Sequence, residues 1–183
     1  MPATINGSPT HVLIVHVVAV MLPISILAAL VLVSVPATRR AFALVTVGVG
    51  FIGCIAVPLA FLSGSALRAR LPNSALIDHH VQLAHQLLPV AAVFGLSLAA
   101  FVGVDLLRRF RKDDINRVET AALTRLPAVR DYSRRHRLLA LHRVTATLLI
   151  VMAVVTGVAV VRAGDSGAKA AWSGRLAPTS QSR

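Results

Sequence analysis

Seven histidines give this chain its widest chemical range. Imidazole changes charge near neutral pH and is a common metal ligand. Five of the seven fall into two sets, His11 with His16, and His79 and His80 with His85. His16 follows His11 by five residues and His85 follows His80 by the same step, which is about 7.5 Å along a helix. If the two sets open helices that run in the same direction, His16 and His85 lie at one depth. Two imidazoles so placed can ligate a haem iron axially. They can also bind zinc or copper with help from His11, His80 or Asp78, or simply satisfy themselves on carbonyls, Ser and water.

His11 and His16 stand about 140° apart around a helix, so both do not point at one centre. His16 is the better candidate because it lies deeper. Asp78, Gln82 and His85 are spaced i, i+4, i+7 and share a face, so either polar neighbour can orient the imidazole. The candidate cofactor ligands are therefore His16 and His85, with His11 beside them. His11, His79 and His80 read as interfacial, and His142, next to Arg143, as an anchor at the opposite interface.

Other chemistries find less support. No Ser/His/Asp spacing resembles a nucleophile motif, and the chain is not expected to be an enzyme. The lone Cys54 has no partner for a disulfide or a zinc site. Gly48, Gly50 and Gly53 spell G-x-G-x-x-G, but inside a long apolar run, where close helix packing is the better account. No Asp or Glu falls mid-membrane, and no inverted repeat is evident, which disfavours a coupled transporter. The net charge of +12 comes with only 4% aromatic residues, so nucleic acid is not expected as a partner.

The elements that must position the histidines are four apolar stretches, residues 12–35, 41–63, 81–107 and 138–161. Each exceeds the roughly 20 residues needed to cross a hydrocarbon core of about 30 Å. The overall apolar fraction of 56% agrees. The fold expected is all-α, a four-helix transmembrane bundle. Residues 1–162 form one membrane domain with the basic loop 108–137, and residues 163–183 a disordered tail. Ser8 and Pro9 suggest an N-cap and first helical position. Within the loop, a short surface helix is expected to start at Asp113 and stop at Pro127. The first stretch reads as a retained helix, since residues 1–10 carry no Lys or Arg.

Ten basic residues lie in the loop 108–137 and two more, Arg39 and Arg40, follow the first stretch. The positive-inside rule places these on the cytoplasmic side and both termini outside. The histidine sets then sit near the outer face of a bacterial plasma membrane.

The run His11-Val12-Leu13-Ile14-Val15-His16, with Pro23 behind it, resembles the opening of an uncharacterised bacterial family of four-helix integral membrane proteins, a domain of unknown function. The segment Pro58-Leu59-Ala60-Phe61-Leu62-Ser63-Gly64 and the His85 region are also similar. The chain departs from the family pattern at Val12, where Pro is frequent, and at Val17-Val18, where an aromatic-Pro pair is common. Some members are joined to cytochrome-c-like domains. The resemblance thus implies redox work and carries over to His11, His16 and His85. The reading reached is a membrane subunit holding haem b or a metal near the outer face and passing electrons. The alternative is a non-enzymatic accessory or scaffold subunit of a larger membrane complex, such as a respiratory one, or a homo-oligomer. A small-solute permease is the third class.

Overall fold

The computed structural model describes residues 4–5, 8–72, 74–121 and 128–172, with side chains for residues 10–72, 74–111 and 136–172. Four helices carry the fold: α1 (Thr10–Ser34), α2 (Arg39–Arg68), α3 (Ala75–Ala121) and α4 (Ala128–Trp172). A single 3-10 turn, Pro36–Thr38, joins α1 to α2. All four contain a segment long and apolar enough to cross a membrane, so the chain is a multi-pass membrane protein. Pro23, Pro58 and Pro89 lie inside α1, α2 and α3. In lipid, neighbouring helices compensate the carbonyl that such a proline frees.

The helices form a ring in which each packs on its chain neighbours and α1 closes on α4. The diagonal pairs, α1 with α3 and α2 with α4, touch far less. Diagonal helices run in the same direction, so the two histidine sets share one end of the bundle. The core side is narrow. It holds Leu22, Leu32, Phe94, Leu98, Phe101 and Leu149, all fully buried. The outward faces keep large apolar side chains such as Leu27, Leu44, Phe51 and Leu96 exposed, as a lipid-facing surface requires.

The two helical hairpins repeat one another. Seven, 11, 14, 18 and 21 residues after His11 come Val18, Leu22, Ser25, Ala29 and Leu32, all buried. The same steps after His80 reach Leu87, Ala91, Phe94, Leu98 and Phe101, also buried. This is the seven-residue seam of left-handed helix packing, entered at one phase by both helices. Near the end of α2 stands Ala60-Phe61-Leu62-Ser63-Gly64, and near the end of α4 Ala163-Gly164-Asp165-Ser166-Gly167. Both read Ala-x-x-Ser-Gly. Contacts repeat as well. A Cβ on Gly95 of α3 would meet Cys54 Sγ of α2 at 3.0 Å, and one on Gly157 of α4 would touch Ile26 of α1. Cys54 and Gly157 each lie nine residues before their Ser, and Ile26 and Gly95 each 15 residues after their His.

Several boundaries differ from the sequence expectation. Ser8–Pro9 pairs with Thr4–Ile5 as a two-residue antiparallel ladder, and α1 starts at Thr10. No separate surface helix begins at Asp113. Instead α3 continues unbroken through Ala121, because no Gly or Pro interrupts residues 104–126. The expected stop at Pro127 lies outside the described residues. Residues 163–172, assigned to a disordered tail, extend α4, whose end is rich in Ala and carries an i, i+4 pair between Lys169 and Asp165 at 2.7 Å. Residues 173–183 lie outside the described residues. Of the glycines read as packing points, Gly50 and Gly53 would clash or crowd if given a Cβ, whereas Gly48 faces open space; on α3, Gly95 would also be crowded and Gly103 would not.

Candidate functional site

The structure brings together His11 and His80, not His16 and His85. Their ring centroids are 6.4 Å apart, edge on face at 71°. Each ring comes from one diagonal helix and rests on the adjacent helix of its own hairpin. His11 Nδ1 lies 2.9 Å from Ala60 O and 3.4 Å from Ser63 Oγ on α2. His80 Nδ1 lies 3.0 Å from Ser166 Oγ on α4.

These partners fix the protons. A carbonyl only accepts, so His11 carries its hydrogen on Nδ1 and donates it to Ala60 O. Ser166 Oγ gives its own hydrogen to Ala163 O at 2.8 Å. It therefore accepts from His80, which also carries its hydrogen on Nδ1. In both rings Nε2 is left with its lone pair and makes no hydrogen bond among the described residues. Metal-ligating histidines show this arrangement, one nitrogen donating to a backbone or hydroxyl oxygen and the other binding.

Glycine makes room for both rings. A Cβ on Gly64 would stand 2.8 Å from His11 Cε1, and one on Gly167 would stand 3.0 Å from His80 Cε1. The repeated Ala-x-x-Ser-Gly thus supplies a carbonyl, a hydroxyl and a flat floor at each position. Among the described residues no group of three or more His, Cys, Asp or Glu converges on a metal-ion site. The donor set is two imidazoles.

His16 and His85 lie on exposed faces of α1 and α3. His16 donates from Nδ1 to Val12 O of its own helix at 2.6 Å. His85 packs edge on against Phe61, with ring centroids 5.7 Å apart. The reason is the five-residue step. With the shallower histidine pointing inward, a rotation of about 140° carries the deeper one outward. Depth is equal for the two, as expected, but direction separates them. Asp78, considered as an orienting partner, pairs with Arg68 at 2.6 Å, and Gln82 is exposed.

A second polar cluster closes the opposite end. Arg39, the first residue of α2, turns back onto α1 and donates from Nε to Leu32 O at 2.6 Å and from Nη2 to Val33 O at 2.8 Å. It caps carbonyls that the end of α1 leaves without helical partners. Its Nη1 reaches Asp105 Oδ1 at 3.4 Å and His142 Nε2 at 3.3 Å. Asp105 is 7% exposed and also pairs with Arg109. His142 stacks on Phe101, with ring centroids 5.0 Å apart. This cluster ties all four helices, and its geometry is that of a structural clasp: each of the three guanidinium nitrogens of Arg39 has a partner.

No protein-family model, curated protein or solved structure matches the chain. The sequence signal that identifies His80 and its support is internal, the second Ala-x-x-Ser-Gly.

Proposed function

We propose that this membrane protein holds a transition-metal centre between His11 and His80 and passes electrons through it. One observation carries the reading. Both rings are held through Nδ1 and keep Nε2 without a hydrogen bond among the described residues, and their centroids lie 6.4 Å apart at the bundle mouth. Imidazole suits iron and copper, whereas a structural zinc site calls for four protein ligands. Haem b brings four of its iron's ligands itself, so His11 and His80 would complete the set and leave no open position for a substrate. That favours electron transfer over catalysis. A copper ion is the alternative occupant of the same nitrogen pair. The abundance of Arg and Lys at the other end supports an outer-face location of the pair in a bacterial plasma membrane.

The test is the optical spectrum and the iron and copper content of the detergent-solubilised protein. A Soret band identifies haem, and copper without that band identifies the ion. His11→Ala and His80→Ala each abolish the signal, while His16→Ala and His85→Ala retain it. A colourless protein free of both metals overturns the proposal and favours the accessory-subunit role. So does a signal that survives loss of His11 and of His80.

A further inference from the structure

A groove of about 330 Å³ runs between α3 and α4, starting at the histidine end. That lies at the small end of the range for ligand sites, about 300–1,000 Å³. Its walls include Leu83, Gln86 and Val90 from α3 and Val154, Val158 and Arg162 from α4. Arg162 and Gln86 sit toward the mouth. Val154, eight residues before Arg162, lies about 12 Å deeper at the helical rise. The groove is thus polar at headgroup depth and apolar below.

The repeated hairpin provides an internal comparison. Counted from Ser63 and Ser166, Arg162 corresponds to Leu59, Val158 to Ile55 and Val154 to Phe51. Counted from His11 and His80, Gln86 corresponds to Val17. The equivalent positions on α1 and α2 are all apolar, and three of them, Phe51, Ile55 and Val17, are exposed. The α3–α4 half alone has its walls trimmed to valine and a cation at the rim. Arg162 is exposed and makes no ion pair among the described residues; Asp165, one turn on, is engaged by Lys169. A guanidinium at a lipid-facing position needs an anionic partner or a route to water. Basic pockets between membrane helices take lipid headgroups.

We infer that this groove binds one glycerophospholipid of the leaflet at the histidine end. Its phosphate sits on Arg162, with Gln86 donating to the phosphate or ester oxygens, and an acyl chain lies along Val90, Val154 and Val158. Arg–phosphate pairing is charge-assisted and bidentate, which distinguishes this lipid from those that exchange freely around the bundle. The site is separate from the histidine pair and does not depend on the metal reading.

The test is the phosphorus content and lipid mass spectrum of the full-length protein after exhaustive detergent washing. The parent chain retains one phospholipid per chain. Arg162→Gln and Val158→Phe each lower retention at least tenfold, Arg162→Lys lowers it less, and Lys169→Gln leaves it unchanged. Val158 is about half exposed, so the Phe is accommodated and occludes the groove, at the position where the other hairpin carries Ile55. A parent chain without phosphorus overturns the proposal. So does equal retention in Arg162→Gln and Val158→Phe, or a retained lipid that contains no phosphate.

Discussion

Arg39 Nη1 meets His142 Nε2 at 3.3 Å, and the two residues hold equivalent places in the repeat, each 24 residues before the Ser of its Ala-x-x-Ser-Gly segment. The exchange of hairpins that pairs His11 with His80 at one mouth pairs Arg39 with His142 at the other. At one end the equivalent residues are identical and leave two nitrogens unbonded. At the other they differ, and a donor meets an acceptor. Chemistry is expected at the first end and cohesion at the second.

Arg39→Ala removes two helix-end caps and leaves Asp105 with Arg109 alone. Taking one partner from a buried ion pair costs about 3–5 kcal/mol. A clear fall in Tm in detergent is expected. Asp105→Asn keeps the caps on Leu32 and Val33 and lowers Tm less. Equal losses in the two variants would show that the caps contribute nothing.

Gly64→Ala and Gly167→Ala place a methyl against His11 and His80, at 2.8 and 3.0 Å. Each displaces its ring and is expected to abolish the metal signal with helicity intact. Gly48→Ala and Gly103→Ala meet nothing within 4 Å and leave the signal unchanged. Ser166→Ala removes the acceptor that fixes His80 and is expected to weaken metal binding about 10–100-fold, the usual cost of losing such a partner. Metal titration of the apoprotein reads it directly.

Thr156 is fully buried, and its hydroxyl has no hydrogen-bond partner among the described residues. An unsatisfied buried polar group costs about 1–3 kcal/mol. Thr156→Val keeps the shape and removes the hydroxyl, so Tm is expected to rise. A fall in Tm would reveal a partner for that oxygen.

Orientation is read by cysteine labelling in intact cells, in a Cys54→Ala background. Ala37 in the α1–α2 turn and Ala69 after α2 are both exposed. A membrane-impermeant thiol reagent is expected to label Ala69→Cys and to spare Ala37→Cys. The reverse pattern would place the histidine pair on the cytoplasmic side.

The four spans were legible because hydropathy alone sets them. The expected stretches 12–35, 41–63, 81–107 and 138–161 lie almost wholly within the helices observed. Helix ends were less legible. Hydropathy marks where lipid stops, but a helix stops only at a breaker or a cap; α3 meets neither at its inner boundary, and α4 runs on through Gly164 and Gly167. The candidate site was legible to within about one and a half helical turns. Depth along α1 and α3 could be counted from residue numbers, and it favoured His16 and His85. Direction could not be settled without knowing which face packs inward, and that face carries His11 and His80. The reach of Arg39 back to Leu32 and Val33 left no trace in the pattern, since it depends on the tight 3-10 turn between α1 and α2.

The continuation of α4 past the apolar run alters what counts as a dispensable end. A chain shortened after Arg162 would keep every span and every histidine, and by hydropathy would look whole. It would nonetheless lack Ser166 and Gly167, leaving His80 without its anchor and its floor while His11 kept both. Half of the proposed ligand pair depends on ten residues that carry no apolar signature, so truncation there should silence the mouth of the bundle without dismantling the bundle itself.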